Sequence, residues 1–155
     1  EVLHIPTEII VKGIKKTTWP GRFEVVSKKP LVILDGAHNE DAAEKLFTTL
    51  KMHFTNQKIT YIIGVLADKE HEKMLSRMLP LAERVFTVTP PNKRALAGES
   101  LAEEVRSFGC DAVYCESMEQ AAELALANVK EDGVILAFGS LSYLAVLKEA
   151  FLSRV

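Results

Sequence analysis

The sequence predicts a three-layer α/β domain with a mostly parallel β-sheet and helices on both faces. From Leu31 onward, short apolar runs alternate with amphipathic stretches, and turn-forming residues separate many of them. This alternation is typical of strand–helix units, whose right-handed crossovers place consecutive strands parallel to one another. The length of 155 residues suits one domain with its own core.

The predicted strands of the parallel sheet are largely continuous apolar runs, as expected when both faces of a strand are buried. An edge strand over Arg22–Val26 is predicted to precede them. The runs are Leu31–Leu34, Ile59–Ile63, Arg84–Val88, Asp111–Tyr114 and Val134–Phe138.

The stretches between the strands show apolar residues at helical spacing and carry recognisable ends. Ser117 with Gln120 predicts a capping box, while Gly109 and Pro80 are each placed to end a helix. The helical pattern covers Ala42–Leu50, Met74–Leu79, Glu99–Phe108, the segment from Ser117 to Val129 and the segment from Ser140 to about Leu152, with a short additional helix over Pro6–Lys12.

Composition excludes several function classes. The 19 basic and 21 acidic residues give a formal net charge of −2, which removes the electrostatic basis for nucleic-acid binding. We expect no membrane partner, because no apolar run approaches the roughly 18 residues of a membrane helix. Cys110 and Cys115 lack the companions of a zinc site, so we expect reduced thiols in a cytoplasmic protein. We expect a monomer, because the sequence has no long apolar seam.

The sequence lacks the motifs of a self-contained active site. It has no G-x-x-x-x-G-K-[ST] phosphate loop, no G-x-G-x-x-G fingerprint, no G-x-S-x-G elbow and no His-rich metal cluster. The first residue is Glu1 rather than Met, so we expect the biological protein to be longer. We therefore expect no catalytic residues and no metal site that are complete within this chain.

Candidate binding residues lie in the loops that follow the predicted strands. In open parallel sheets the ligand crevice lies at the carboxyl ends of the strands. The loops to inspect are therefore 35–39, 64–69, 89–98 and 139–142, which hold most of the unusual polar residues.

The first two clusters suit a nucleotide. Asp35 either accepts hydrogen bonds from ribose hydroxyls or satisfies local backbone donors, while His38 suits a base, ribose or phosphate. The helix start after Asn39 offers N–H groups to an anion. Arg22 carries a planar fork that suits phosphate, or it is a solvent-facing residue beside Trp19 acting as a packing anchor.

Two further candidates suit a carboxylate. Lys69 can hold one as a point charge oriented by Asp68, or it belongs to a charged helix start. Ser140 can bind one with its hydroxyl at a helix N-terminus, or it is an ordinary N-cap. Lys93 and Arg94, in the Pro-rich loop, are either phosphate or carboxylate contacts or part of a solvated loop.

Five segments in this order form a recognisable pattern, in which W-P-G-R and D-G-A-H-N are the most specific motifs. They resemble the C-terminal domain of the folylpolyglutamate synthase/dihydrofolate synthase family, a branch of the Mur ligase superfamily with a Rossmann-like sheet. Glu70 stands where the family often has Asp, and Ser142 is inserted into the usual Gly-Ser-Leu-Tyr run. The segments are Trp19–Glu24, Pro30–Asn39, Gly64–Glu70, Thr89–Leu96 and Gly139–Leu141.

The resemblance implies a reaction and a division of roles. Enzymes of this family use ATP and Mg²⁺ to phosphorylate a folate or dihydropteroate carboxylate, and the amine of L-glutamate then attacks the acyl phosphate. The phosphate loop and the Mg²⁺ ligands belong to a larger N-terminal P-loop ATPase domain of the same chain, over which the C-terminal domain closes. Residues 1–20 are then expected to be an interdomain linker region, and the isolated domain is expected to be inactive. By position, the ATP-binding residues are Arg22, Asp35 and His38, and the glutamate-binding residues are Lys69 and Ser140.

Two other interpretations stay open at this point. One is the matching domain of a Mur-type ligase that adds an amino acid to a cell-wall precursor, although the motif containing His38 favours the folate branch. The other is a standalone α/β binding module without catalysis.

Overall fold

The computed structural model describes residues 4–68 and 70–154. Within these ranges the chain forms a six-stranded sheet in the order β1-β2-β6-β3-β4-β5. β1 pairs antiparallel with β2, and every other neighbouring pair is parallel, which confirms the predicted fold class. The strands are β1 (Glu24–Lys28), β2 (Leu31–Leu34), β3 (Ile59–Ile63), β4 (Ala82–Thr87), β5 (Ala112–Tyr114) and β6 (Val134–Phe138).

The helices lie where the apolar spacing predicts them. The Asn39 side chain accepts a hydrogen bond from the Ala42 N–H, and the Ser117 side chain accepts one from the Gln120 N–H. A short 3₁₀ turn over Leu79–Leu81 separates the third helix from β4. The helices are α1 (Thr7–Lys16), α2 (Glu40–His53), α3 (His71–Met78), α4 (Gly98–Ser107), α5 (Met118–Ala127) and α6 (Leu141–Leu152).

The edge strand begins later than predicted. It starts at Glu24 rather than Arg22, because Gly21 and Phe23 adopt positive φ angles of 68° and 45°. These angles turn the chain instead of extending it. The residues between Trp19 and Phe23 therefore form a turn, not the start of a strand.

The two faces of the sheet carry different helices. The chain crosses the sheet from β2 through β3 and β4 to β5 by way of α2, α3 and α4, whose buried residues share one core cluster. It then returns through α5 to β6, which inserts between β2 and β3, so that α5 and α6 bury the opposite face. Both core clusters are built from residues of this chain, as expected for a domain with its own core.

The insertion of β6 creates a point where neighbouring loops diverge. α2 leaves β2 towards one face, whereas α6 leaves β6 towards the other. Ligands of open α/β sheets bind at such a switch point. Gly139 has φ 111° and donates its N–H to the Ala37 carbonyl at 2.8 Å, and a Cβ there would lie 2.5 Å from the Gly64 carbonyl oxygen. Glycine thus lets the three central loops approach closely.

No helix within the described ranges is long and apolar enough to cross a membrane.

Candidate functional site

A cleft of about 450 Å³ lies beside the carboxyl end of β2. Its walls come from the turn before β1, the β2–α2 loop and residues 41–49 of α2. The cleft brings together all three residues expected to bind ATP, namely Arg22, Asp35 and His38. The complete lining is Arg22, Phe23, Asp35, Gly36, Ala37, His38, Asn39, Asp41, Ala42, Lys45, Leu46 and Thr49.

The turn that carries Arg22 is fastened to the β2–α2 loop. The Gly36 N–H donates to the Gly21 carbonyl at 2.7 Å, and the Phe23 N–H donates to Asp35 Oδ2 at 2.8 Å. Arg22 itself is exposed, and a Cβ added at Gly36 would collide with its guanidinium group. The absence of a side chain at Gly36 therefore allows the Arg22 head group to lie across the loop.

Asp35 organises this loop. Its Oδ1 accepts the Ala37 N–H at 2.8 Å while its Oδ2 accepts the Phe23 N–H. Asp35 therefore accepts hydrogen bonds from local backbone groups, which is one of the two alternatives predicted for it. A ribose hydroxyl would have to donate to the remaining lone pairs of the same oxygens. The contact between Asp35 and ribose stays a prediction.

His38 is half-buried, and its ring is oriented by the backbone. Its Nδ1 lies 2.8 Å from the Gly36 carbonyl oxygen, which can only accept a hydrogen bond. The proton of a neutral ring therefore belongs on Nδ1, and Nε2 is left as the acceptor.

The N-terminus of α2 offers fewer N–H groups to an anion than the sequence suggests. The Ala37 N–H is taken by Asp35 and the Ala42 N–H by Asn39. Glu40 and Asp41 also occupy the first turn and oppose an incoming anion. Cationic side chains in the cleft, above all Arg22, are therefore better placed than the helix start to bind phosphate.

Glu24 secures the Arg22 turn from the other side, a role that sequence reasoning missed. Its Oε2 accepts the Gly21 N–H at 2.8 Å, and its Oε1 lies 2.7 Å from Lys148 Nζ on α6. The Lys148 ammonium group and the Gly21 N–H hold the pKa of the Glu24 carboxyl below its ordinary value. The short spacing of Gly21 and Glu24 could have indicated the first contact. Lys148 is 124 residues from Glu24, so no nearby residue in the sequence indicates the second contact.

Trp19 is not a packing anchor within this domain. Its side chain is 70% exposed, which contradicts that alternative for the W-P-G-R motif.

The predicted glutamate-binding residue Lys69 lies outside the described residues. Asp68, expected to orient it, accepts a hydrogen bond from Arg94 at 2.7 Å. The two loops are also joined through backbone bonds, from the Ala67 N–H to the Arg94 carbonyl at 2.8 Å and from the Leu96 N–H to the Val65 carbonyl at 3.0 Å. Sequence reasoning missed this pairing of the loops after β3 and β4.

Ser140 acts as the N-cap of α6. It is 5% exposed, its Oγ accepts the Ser142 N–H at 3.3 Å, and the two hydroxyl oxygens lie 2.8 Å apart. The inserted Ser142 thus supplies both partners of the Ser140 hydroxyl. Ser140 does not line the cleft that contains Arg22, so the structure does not bring all predicted site residues together.

Comparison with known proteins finds a family model and relatives that match most of this chain. The family model "Mur ligase, glutamate ligase domain" matches residues 21–141. The dihydrofolate synthase/folylpolyglutamate synthase of Bacillus subtilis is 29% identical over 150 residues, which are 96% of this chain and 34% of that protein.

Solved structures show the same fold. Escherichia coli FolC in complex with DHPP and ADP superposes with a TM-score of 0.87 at 30% identity, over 98% of this chain and 36% of that one. A bifunctional folylpolyglutamate synthase/dihydrofolate synthase with Mn, AMPPNP and L-glutamate bound gives a TM-score of 0.84 at 28% identity, over 97% and 36%.

The chain spans about a third of the length of these relatives and corresponds to their C-terminal domain. The matched range contains the whole six-stranded sheet and the Arg22, Asp35 and His38 cluster. The chain therefore belongs to the Mur ligase, glutamate ligase domain family.

Proposed function

We propose that this chain is the C-terminal domain of an ATP-dependent ligase that adds L-glutamate to dihydropteroate, to folate or to both, through an acyl phosphate. The observation that carries the proposal is the attachment of the W-P-G-R turn to the D-G-A-H-N loop, which brings Arg22, Asp35 and His38 into one cleft. ADP and AMPPNP in the neighbouring structures support a nucleotide ligand. The names of the relatives support the folate branch over a cell-wall ligase.

Arg22 is the residue proposed to meet the charge of the ATP phosphates. Its planar guanidinium group suits phosphate oxygens. The turn that carries it is bonded to Asp35 and Gly36, and Gly36 leaves room for the head group. A preorganised cation at a site of developing negative charge stabilises the transition state more than the ground state. His38 is proposed to contact the same nucleotide through Nε2, with its Nδ1 proton held by Gly36.

The proposed glutamate subsite lies around the loop after β3. Lys69 is proposed to hold a carboxylate of the incoming amino acid, and Ser140 is proposed to contribute to that pocket from the start of α6. The bond between Asp68 and Arg94 supports the proposal because it ties this loop to the neighbouring one. L-glutamate bound in a neighbouring structure supports an amino-acid ligand for this family.

Mg²⁺ is proposed to be held outside these residues. Within residues 4–68 and 70–154, no group of three or more His, Cys, Asp or Glu side chains is arranged to hold a metal ion. The metal, when bound in the complete enzyme, supplies charge neutralisation of the triphosphate. The contribution of this domain is proposed to be the cleft that binds the nucleotide and excludes water from the acyl phosphate.

Product analysis of the full-length enzyme tests the proposed function. The enzyme is incubated with ATP, labelled L-glutamate and one acceptor, either dihydropteroate, a folate or a UDP-muramoyl peptide precursor. We expect label in the pteroate or folate product together with release of phosphate. Label in the muramoyl product instead identifies a cell-wall ligase, and absence of label from all three products supports a binding module.

A further inference from the structure

Leu141, the first residue of α6, lies against both segments that build one wall of the nucleotide cleft. Its side chain is 47% exposed and belongs to neither core cluster of the sheet. A Cβ added at Gly21 would nevertheless lie 2.8 Å from Leu141 Cδ2, and one added at Gly36 would collide with Cδ2 and Cγ. Leu141 therefore covers the point where the Gly36 N–H donates to the Gly21 carbonyl.

Leu141 is also a direct neighbour of the Arg22 head group. A Cβ at Gly36 would collide with Arg22 Nη1 as well as with the Leu141 side chain, so both neighbours occupy the space beside the same glycine. Gly36 has no positive φ angle, and its missing side chain thus makes room for neighbours rather than for an unusual backbone. The Arg22 and Leu141 side chains consequently lie side by side over the β2–α2 loop.

Leu141 stands between the nucleotide cleft and a second depression. This depression has a volume of about 280 Å³ and lies between the residues Pro20, Gly21 and Glu24 and the residues 141–149 of α6. Leu141 lines it, whereas Arg22 lines only the cleft. Without the Leu141 side chain, the space beside Gly36 would open towards this depression, and the Arg22 head group could turn away from the cleft.

We propose that Leu141 is a positioning residue that restricts the Arg22 guanidinium group to the nucleotide cleft. The proposal rests on the proposed function, in which Arg22 meets the charge of the ATP phosphates. A free arginine side chain samples many rotamers, and the loss of this freedom opposes binding. A leucine packed beside the head group removes part of that freedom before ATP binds. Leu141 itself needs no contact with a substrate for this role.

A double-mutant cycle in the full-length enzyme tests the proposal. The values of kcat and of both KM are measured for the parent, Leu141→Ala, Arg22→Ala and the double variant. We expect Leu141→Ala to lower kcat by about tenfold and to leave the KM for glutamate unchanged, because a misplaced guanidinium group slows phosphate transfer without touching the amino acid. In the Arg22→Ala background, the same substitution should change kcat by less than about twofold.

Two outcomes of the cycle overturn the proposal. A loss of kcat that is equally large in both backgrounds shows that Leu141 acts independently of Arg22. A rise in the KM for glutamate with kcat unchanged assigns Leu141 to the amino-acid pocket together with its neighbour Ser140.

Two control variants separate positioning from stability. Val146 lies on the same helix, is 46% exposed and does not line the second depression, so Val146→Ala should leave kcat unchanged. Leu141→Met keeps a long apolar side chain beside Arg22 and should retain most of kcat. Urea midpoints of Leu141→Ala and Val146→Ala should be similar, because both side chains are about half exposed. A loss with Leu141→Met as large as that with alanine overturns the proposal.

Binding of AMPPNP gives a readout that needs no turnover. Calorimetry with the full-length protein should show weaker AMPPNP binding for Leu141→Ala than for the parent, and no further weakening when Arg22 is already alanine. If this coupling is present in a protein without ligase activity, the positioning role stands and the proposed function alone is overturned. An active ligase in which neither kcat nor AMPPNP affinity couples Leu141 to Arg22 overturns the positioning role alone.

Discussion

Arg22 illustrates how neighbouring residues fix the turn that carries an exposed side chain. Asp35 binds the backbone next to it, Gly36 leaves room for its head group, and Glu24 fixes the turn from the far side. Removing a positioned cation that stabilises a transition state lowers turnover, whereas removing a simple substrate contact raises KM. Arg22 and Lys69 should therefore differ in the parameter that each controls.

In the full-length enzyme, we expect Arg22→Ala to lower kcat by about 10²–10³-fold and to raise the KM for ATP. We expect Lys69→Ala to raise mainly the KM for glutamate, by roughly tenfold. Gly36→Ala should also lower kcat, because its Cβ would collide with the Arg22 guanidinium group and with Leu141 at the start of α6. Steady-state kinetics with each substrate varied in turn measures kcat and both KM values for these variants. Lys28→Ala, at the opposite end of β1, is the control. Identical defects for Arg22→Ala and Lys69→Ala would contradict separate subsites.

Elements distant in sequence are joined at this site by a small number of polar contacts. The ion pair of Glu24 and Lys148 connects β1 to α6, and the fully buried Tyr143 hydroxyl lies 3.1 Å from the Ile62 carbonyl oxygen in β3. Burial raises the pKa of Tyr143 well above its ordinary value, so its hydroxyl keeps its proton and stays a donor. These contacts fix the start of α6 relative to the cleft.

The pH dependence of stability should reveal the Glu24 contact. Because the folded-state pKa of Glu24 is lowered, its contribution is complete above the unfolded value of 4.5 and is lost as the pH falls through the folded value. Glu24→Gln should therefore lower the urea midpoint near pH 7, and the difference from the parent should shrink as the pH falls below 4.5. Urea unfolding of both proteins at a series of pH values measures this difference in the midpoint.

A matched control for this prediction is Glu131→Gln. Glu131 pairs with Lys29 at 3.8 Å, with both side chains more than three-quarters exposed. Exposed pairs of this kind contribute little to stability. A pH-independent difference for Glu24→Gln, or an equal effect at Glu131, contradicts the assigned role of the charge.

As a whole, the molecule has a cluster of buried side chains on each face of the sheet and an open cleft at the end of β2. The proposed function places the phosphate loop and the metal ligands outside these residues. We therefore expect the 155-residue chain to fold alone and to lack ligase activity. We expect folding and activity to be separable in this way because the residues that pack against both faces of the sheet belong to this chain.

Folding and activity of the isolated chain can be measured separately. We expect cooperative urea unfolding, and no phosphate release or glutamate transfer above background with ATP, glutamate and either pterin acceptor. The full-length enzyme assayed in parallel is the positive control. Turnover by the isolated chain at a comparable rate would show that the phosphate-transfer site lies within these residues.

The sequence alone determined the elements, the parallel character of the sheet and the motifs that carry the family resemblance. Strand and helix signals arise from side chains a few residues apart, so periodicity and capping residues such as Asn39 and Ser117 report them directly. The clustering of Arg22 with Asp35 and His38 follows from the antiparallel pairing of β1 with β2, which places the start of β1 beside the end of β2.

Only the tertiary structure decided the strand order and the partners of individual polar groups. The insertion of β6 between β2 and β3 depends on packing across the whole sheet, and the contacts Asp68–Arg94 and Glu24–Lys148 join residues 26 and 124 positions apart. Likewise, Ser140 proved to cap α6 through Ser142, a choice among hydrogen-bond partners that burial settles and residue type does not. Local sequence specifies which groups are available, while the packed fold specifies which of them meet.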